Sequence, residues 1–335
     1  MKKILVTGGA GYLGSHVVKQ LLDNDYKVRV LDDLSFGQVG LKKVKSNSNF
    51  ELIKGDIRDL QSVLKSMDGV DGVIHLAGIV GDPASKIDPI LSTEINYLST
   101  KLVVDSASYF NIKQFVFAST CSVYGASNND LLNEKSNVNP VSIYAETKLK
   151  SEKIILDSYN KNFNPIIFRT GTLFGFSDRM RFDLAINFLA AQGTKNKQIT
   201  IEGGAQWRPF IHVHDAARAY LAALESPPSK SNNILNLGGD DMNFQLKDIG
   251  NIIDESIDDV KIKFTKNIDR RNYRVSFKKI KKILKFEPKI TVKDGVEEIS
   301  SALKSRKITN WKNSIYYNNK FPFLGTSKLS KYYWQ

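Results

Sequence analysis

The chain has 335 residues, 41% hydrophobic and 25% charged, enough apolar material for one large domain or two fused ones. No apolar run approaches the roughly 20 residues that span a bilayer, and the single cysteine, Cys121, excludes an internal disulfide or a cysteine-built metal site. The net charge of +13 permits an anionic partner, but the lysines are spread along the chain and densest at 261–289, which reads as a solvated face and not as a nucleic-acid or membrane surface.

The opening Met1-Lys2-Lys3-Ile4-Leu5-Val6-Thr7-Gly8 has too short an apolar run for a signal peptide and reads as a first strand, which implies a cytoplasmic protein. Short apolar runs at Lys3–Thr7, Lys27–Leu31, Phe50–Lys54, Gly72–Leu76, Gln114–Ala118 and Pro165–Arg169 predict buried parallel strands. Between them, Leu13–Asn24, Asp59–Met67, Ser92–Phe110 and Tyr144–Asn160 predict helices. That alternation implies an α/β fold, a Rossmann-type doubly wound parallel sheet. Beyond residue 170 the pattern loosens, with helices expected at Arg181–Gln192, Phe244–Glu255, Ser276–Leu284 and Lys293–Leu303. The expected organisation is a nucleotide-binding domain at 1–175, to which segments of about 205–240 return. A smaller mixed α/β substrate domain follows at 176–305, then an aromatic tail at 306–335.

After the first strand, Gly8, Gly9, Gly11 and Gly14 satisfy the dinucleotide fingerprint and its short-chain variant, with Tyr12 and Leu13 inside the turn. Glycine permits the tight turn and the approach of backbone to a pyrophosphate, while the helix start offers free N–H groups and a positive dipole end. Asp32 ends the second strand near the spacing of about 20 residues at which a carboxylate meets the ribose hydroxyls. It would repel a 2′-phosphate, so the cofactor is expected to be NAD, not NADP.

Tyr144 and Lys148, four apart on one helix, share a face. A phenol is a weak base at neutral pH, and a neighbouring ammonium would favour the phenolate. Ser119, Thr120 and Ser122 stand at the end of a predicted buried strand, where ligands sit in open α/β sheets, although backbone capping explains such hydroxyls equally well. Together, Thr7 to Gly14, the His75-Leu76-Ala77-Gly78 run, Ser119 to Gly125 and Tyr144 to Lys148 resemble the extended short-chain dehydrogenases that act on nucleotide sugars. UDP-galactose 4-epimerase and dTDP-glucose 4,6-dehydratase are familiar members of that family.

The resemblance spans about residues 1–300. It implies that Tyr144 is the catalytic base, Lys148 its partner and Thr120 the catalytic hydroxyl. It further implies that Asp56 and Ile57 meet the adenine, that Ala77, Gly78 and Asn96 flank the cofactor, and that Ser119 lies beside it. In the dehydratases an Asp-Glu pair follows the catalytic threonine; here Cys121 and Ser122 follow, which argues against elimination of water. Arg169 to Gly175 resembles a family segment with Thr172 where an asparagine usually fixes the nucleotide sugar. Arg208 and Arg271 fall on positions that grip the substrate diphosphate, a task suited to guanidinium forks; for Arg271 and its neighbour Arg270 a solvated cationic loop fits as well. Ser177 to Asp183 is similar to a Ser-Pro-Arg-Met-Arg segment of epimerase-like proteins in surface-polysaccharide clusters, including a GDP-heptose 4-dehydrogenase, with Arg179 and Arg181 as substrate contacts and Asp178 replacing proline. His212 and His214 form a His-x-His pair without a third ligand nearby, so no metal is expected.

The resemblance implies an NAD-dependent epimerase of a nucleotide-diphosphate sugar, acting at C4 through a transient keto sugar. A net nucleotide-sugar 4-oxidoreductase remains open, as does a non-catalytic NAD-binding scaffold. A homodimer is expected from surplus apolar residues on Ser92–Phe110 and Tyr144–Asn160, which pair into a four-helix bundle in the family.

Overall fold

The computed structural model describes residues 1–226, 233–266 and 271–320, with the side chains of 127–130 excepted. Seven strands form the central sheet: β1 (Lys3–Thr7), β2 (Lys27–Asp32), β3 (Phe50–Lys54), β4 (Gly72–His75), β5 (Gln114–Thr120), β6 (Asn164–Thr170) and β7 (Ile234–Leu237). Their spatial order is β7-β6-β5-β4-β1-β2-β3, every neighbouring pair parallel. The chain leaves β1 to one side for β2 and returns on the other for β4, so a crevice opens at the carboxyl ends of β1 and β4.

Strand alternation sends Ile4, Val6, Val28 and Val30 to one face and Leu5, Leu31 and Val73 to the other, each the centre of a separate apolar cluster. A sheet so covered on both faces explains why its strands read as continuous apolar runs. The helix Val213–Glu225 packs beside the first helix, Gly14–Asp23, and β7 extends the sheet edge. Neither had a distinct periodic signal, because alanines dominate the helix and β7 has only four residues.

A third apolar cluster gathers around the helices Ala185–Asn196, Leu246–Ser256 and Val292–Lys304. The predicted Arg181–Gln192 helix starts later, at Ala185, because Arg181 and Asp183 pair with each other in the preceding loop. Trp311 and Tyr317 are buried in this cluster and Tyr316 packs against it, so the aromatic chain after residue 305 lies on the body up to residue 320. The rest of the tail, 321–335, falls outside the described residues.

Candidate active site

The crevice is floored by the glycine turn. Gly8 adopts a left-handed φ of +71° and donates its N–H to the Leu31 carbonyl at 2.9 Å. A Cβ there would stand 2.7 Å from the Ala77 nitrogen, and one on Gly14 would stand 2.1 Å from the Gly8 carbonyl oxygen. The turn, the first helix and the β4 loop thus approach to distances that only glycine permits. At the end of β2, Asp32 accepts hydrogen bonds from the N–H groups of Ala10 (2.9 Å) and Leu34 (2.8 Å). Burial lifts its carboxyl to about 6 despite both bonds.

The opposite end of the crevice is built by β5 and the helix Ile143–Asp157. Ser142 caps that helix, accepting from the Ala145 N–H and donating its own hydroxyl to Asp82 at 2.6 Å. This fixes the helix start beside the end of β5 and brings the Tyr144 hydroxyl into a hydrogen bond with Thr120. Burial pushes the Tyr144 phenol upward, and the cation that most opposes this is Arg181. The ammonium of Lys148 stands 4.7 Å above the Phe117 ring, and burial pushes it down to about 8 against the pull of Glu152. The cation that acts on the phenol in this structure is therefore Arg181, beside the ammonium of Lys148 expected from the sequence.

Behind Thr120 lies a buried polar network. Ser119 donates to Glu152 at 2.5 Å, and Arg169 grips both Glu152 oxygens, with its shortest contact at 2.8 Å, while also donating to the Tyr124 hydroxyl. Cys121 donates its thiol to the Arg169 carbonyl, and burial pushes that thiol upward. No carboxylate follows Thr120 in the crevice.

Residues 4–238 match the model of the NAD dependent epimerase/dehydratase family. The chain belongs to that family. An uncharacterized UDP-glucose epimerase of Bacillus subtilis is 33% identical over 311 residues, covering 88% of this chain and 95% of that relative. A putative UDP-glucose 4-epimerase of Methanocaldococcus jannaschii is 31% identical, covering 91% of this chain and all of the relative. The solved UDP-glucuronic acid 4-epimerase of Bacillus cereus, in complex with UDP-glucuronic acid and NAD, is 29% identical with a TM-score of 0.79, covering 90% of this chain and 99% of that structure. The protein is accordingly an enzyme, and NAD is its cofactor. The residues fit that cofactor: the glycine cradle would be filled by any Cβ at Gly8 or Gly14, and the carboxylate of Asp32 lines the same crevice at the end of β2.

Most residues singled out in the sequence line this one crevice. Gly8, Gly11, Leu13 and Gly14 do so with Asp32 at one end, and Asp56, Ile57, Ala77 and Gly78 along its side. Ser119, Thr120, Ser122, Tyr144 and Lys148 close the other end, joined by Thr172, Arg179, Arg181 and Arg271. Several differ in detail from the expectation. Tyr12 borders the crevice but directs its hydroxyl to the Gly175 carbonyl at 2.7 Å, inside the third apolar cluster. The Ser119 hydroxyl is taken by Glu152.

Two residues stand outside the crevice lining. Asn96 clamps the backbone of Ile79 through both its amide atoms, at 2.8 and 2.9 Å, and so holds the Ala77–Ile79 loop from behind. Arg208 donates to the Arg271 carbonyl and lies over the Tyr273 ring, 5.5 Å from its centre, supporting the residue that does line the crevice. His212 accepts from the His214 N–H and bonds Glu298 at 3.0 Å. Arg270 lies outside the described residues.

Among the lining or bordering groups that the sequence reading missed, three stand out. Phe36 follows the acidic turn after β2, and Asn318 comes from the tail, where no periodicity marks a role. Asp82 pairs with Arg271 at 3.0 Å across the mouth. For Phe36 the neighbouring Asp32-Asp33 turn was an available signal; for the other two there was none.

Proposed function

We propose that this protein is an NAD-dependent 4-epimerase of a nucleotide-diphosphate sugar, working through a transient 4-keto sugar. The observation that carries the reading is the Tyr144–Thr120 hydrogen bond at the carboxyl end of the sheet, in the same crevice as the glycine cradle and Lys148. Bound NAD supplies the hydride acceptor and, once reduced, the hydride donor. Tyr144 removes the proton of the sugar C4 hydroxyl, with the Thr120 hydroxyl bridging phenol and substrate, and returns it after the sugar has turned over. Lys148 holds the nicotinamide ribose, and Ser119 with Glu152 and Arg169 fixes the strand end that carries Thr120. Ser122, Thr172, Arg181 and Arg271 bind the nucleotide sugar. Arg271 leaves Asp82 when the substrate diphosphate arrives, and Arg208 keeps its backbone in place. Dehydration has no acid/base pair here, because Cys121 faces the Arg169 carbonyl and Ser122 the Tyr273 hydroxyl.

Residues 1–175 with β7 serve as the NAD-binding domain, 176–305 as the substrate domain. Among the described residues no helix is long and apolar enough to cross a membrane; we place the enzyme in the cytoplasm. A role in surface-polysaccharide synthesis rests on the Ser177–Asp183 resemblance. The named relatives that act on UDP-sugars favour a uridine nucleotide. The exposed Leu98 and Tyr109, 41% and 76% accessible, support a homodimer through the helices around Ser99–Tyr109 and Ile143–Asp157. Sedimentation as a monomer at micromolar concentration would count against this.

The test is incubation with a panel of UDP-, dTDP-, CDP- and GDP-sugars, with products resolved by NMR and NADH followed by absorbance. An epimer without net NADH is the expected result. Stoichiometric NADH with a 4-keto product would replace the proposal by a net oxidoreductase, and turnover of no sugar by a cofactor-binding scaffold.

A further inference from the structure

The sequence resemblance makes Arg179 a substrate contact, but the structure stitches its segment to the other half of the molecule. Ser177, two residues earlier, donates to the Tyr12 carbonyl at 3.1 Å and shares a hydrogen bond with Ser15 at 3.1 Å, both at the start of the first helix. Asp178 pairs with Lys43, which lies beyond β2. Arg179 itself stacks its guanidinium 3.8 Å above the centre of the Phe36 ring, next to the acidic turn of Asp32 and Asp33.

Arg179 is 3% exposed, and its Nε has no hydrogen-bond partner among the described residues. Nη2 donates to the Asn318 side-chain Oδ1 at 2.7 Å, and the Asn318 amide in turn donates to the Val80 carbonyl. Burial and the charge of Arg181 push Arg179 down to about 9. Asp183 and Asp32 act on this guanidinium only through space; among the described residues its direct contacts are an amide and an aromatic face, and no carboxylate hydrogen-bonds it. The glycine turn at whose helix Ser177 is anchored is where backbone N–H groups receive a pyrophosphate.

We propose that Arg179 binds the diphosphate of NAD, and that with Phe36 and Asn318 it forms a clasp by which the C-terminal segment retains the cofactor. The inference rests on the NAD assignment and moves Arg179 from the substrate to the cofactor. An enzyme that regenerates NAD in each cycle gains from retaining it, and this clasp draws on parts of the chain 139 positions apart.

The test uses nucleotide-free full-length protein and three probes: ADP-ribose, which carries the diphosphate; adenosine, which lacks it; and UDP for the substrate side. Arg179→Met keeps an unbranched chain over Phe36 and removes the charge. Calorimetry should show ADP-ribose binding weakened about 10- to 100-fold, the span of one charge-assisted hydrogen bond, with adenosine and UDP within about twofold of wild type. Weakened UDP with unchanged ADP-ribose would overturn the inference and restore Arg179 to the substrate. If Arg179→Met fails to fold, Asn318→Ala, which leaves the guanidinium in place but unheld, carries the same comparison: it should weaken ADP-ribose and leave UDP alone, and equal ADP-ribose affinity would overturn the clasp. A wild-type protein that binds neither ADP-ribose nor NAD would instead refute the cofactor reading on which the clasp depends.

Discussion

Glu152→Gln should be among the costliest isosteric changes in the molecule. Glu152 and Arg169 are 2% and 4% exposed, and the carboxylate accepts Arg169 Nε and Nη2 as well as the Ser119 hydroxyl. Glutamine keeps the shape but has one acceptor oxygen, so its NH2 must face either the guanidinium or Ser119. Removing one partner of a buried pair leaves an uncompensated charge and costs about 3–5 kcal/mol. At about 2–3 °C per kcal/mol for a chain of this size, that is a fall in Tm on the order of 6–15 °C. Calorimetry on matched preparations reads it directly. The double change Glu152→Leu with Arg169→Met should cost less than either single change, because no charge is then stranded. A Glu152→Gln loss below about 1 kcal/mol, or a double variant as costly as the two singles combined, would refute the account of this pair as a mutually dependent unit.

Tyr144→Phe removes only a hydroxyl from a buried ring and should retain fold and NAD while turnover falls about 10²–10⁴-fold, measured on whichever sugar the panel identifies. Asp32→Ser should weaken NAD by about 10-fold or more and raise the NADP to NAD affinity ratio, read by competition binding; an unchanged ratio would remove Asp32 from the ribose. Lys148 has a folded value near 8 against an ordinary 10.5, so between these limits the folded state holds fewer protons than the unfolded one. Stability of nucleotide-free protein should therefore rise with pH through that window, and Lys148→Met should flatten the rise in urea titrations.

The sheet and the cofactor cradle were legible because each rests on a local code. Five-residue apolar runs make buried strands, and the glycine spacing is imposed by contacts as short as 2.1 Å. β7 and the Trp207–His212 strand were less legible: both are short, and the second carries Trp, Arg, Pro and His among its six residues. At the site, the types and spacings of Thr120, Tyr144 and Lys148 pointed to one crevice. Which hydroxyl is committed elsewhere did not follow from them. Ser119 and Thr120 look alike in sequence, yet one is held by a glutamate 33 positions away and the other is left for Tyr144. Asn96 and Arg208 fall on positions that the family pattern marks, but the pattern does not say whether a residue touches a ligand or, as their contacts here show, holds a lining segment from behind.

The segment after residue 175 shows how one run of chain can serve two ends of a site. Met180 and Phe182 are buried in the third apolar cluster, with Phe176 and Leu184 packed against it, while Ser177, Arg179, Arg181 and Asp183 alternate with them and are polar. That alternation places Arg179 beside Phe36 and Arg181 near Tyr144, two residues apart. Asp183 holds Arg181 in a bidentate pair. Burial pushes the Tyr144 phenol upward against Arg181; in the proposed mechanism the oxidised nicotinamide would add a second positive charge that favours the phenolate. On that mechanism Tyr144 would become a base once the site is loaded. The same alternation that secures the apolar anchor of the segment thus places the proposed cofactor clasp, Arg179, two residues from Arg181, the cation that acts on the proposed base.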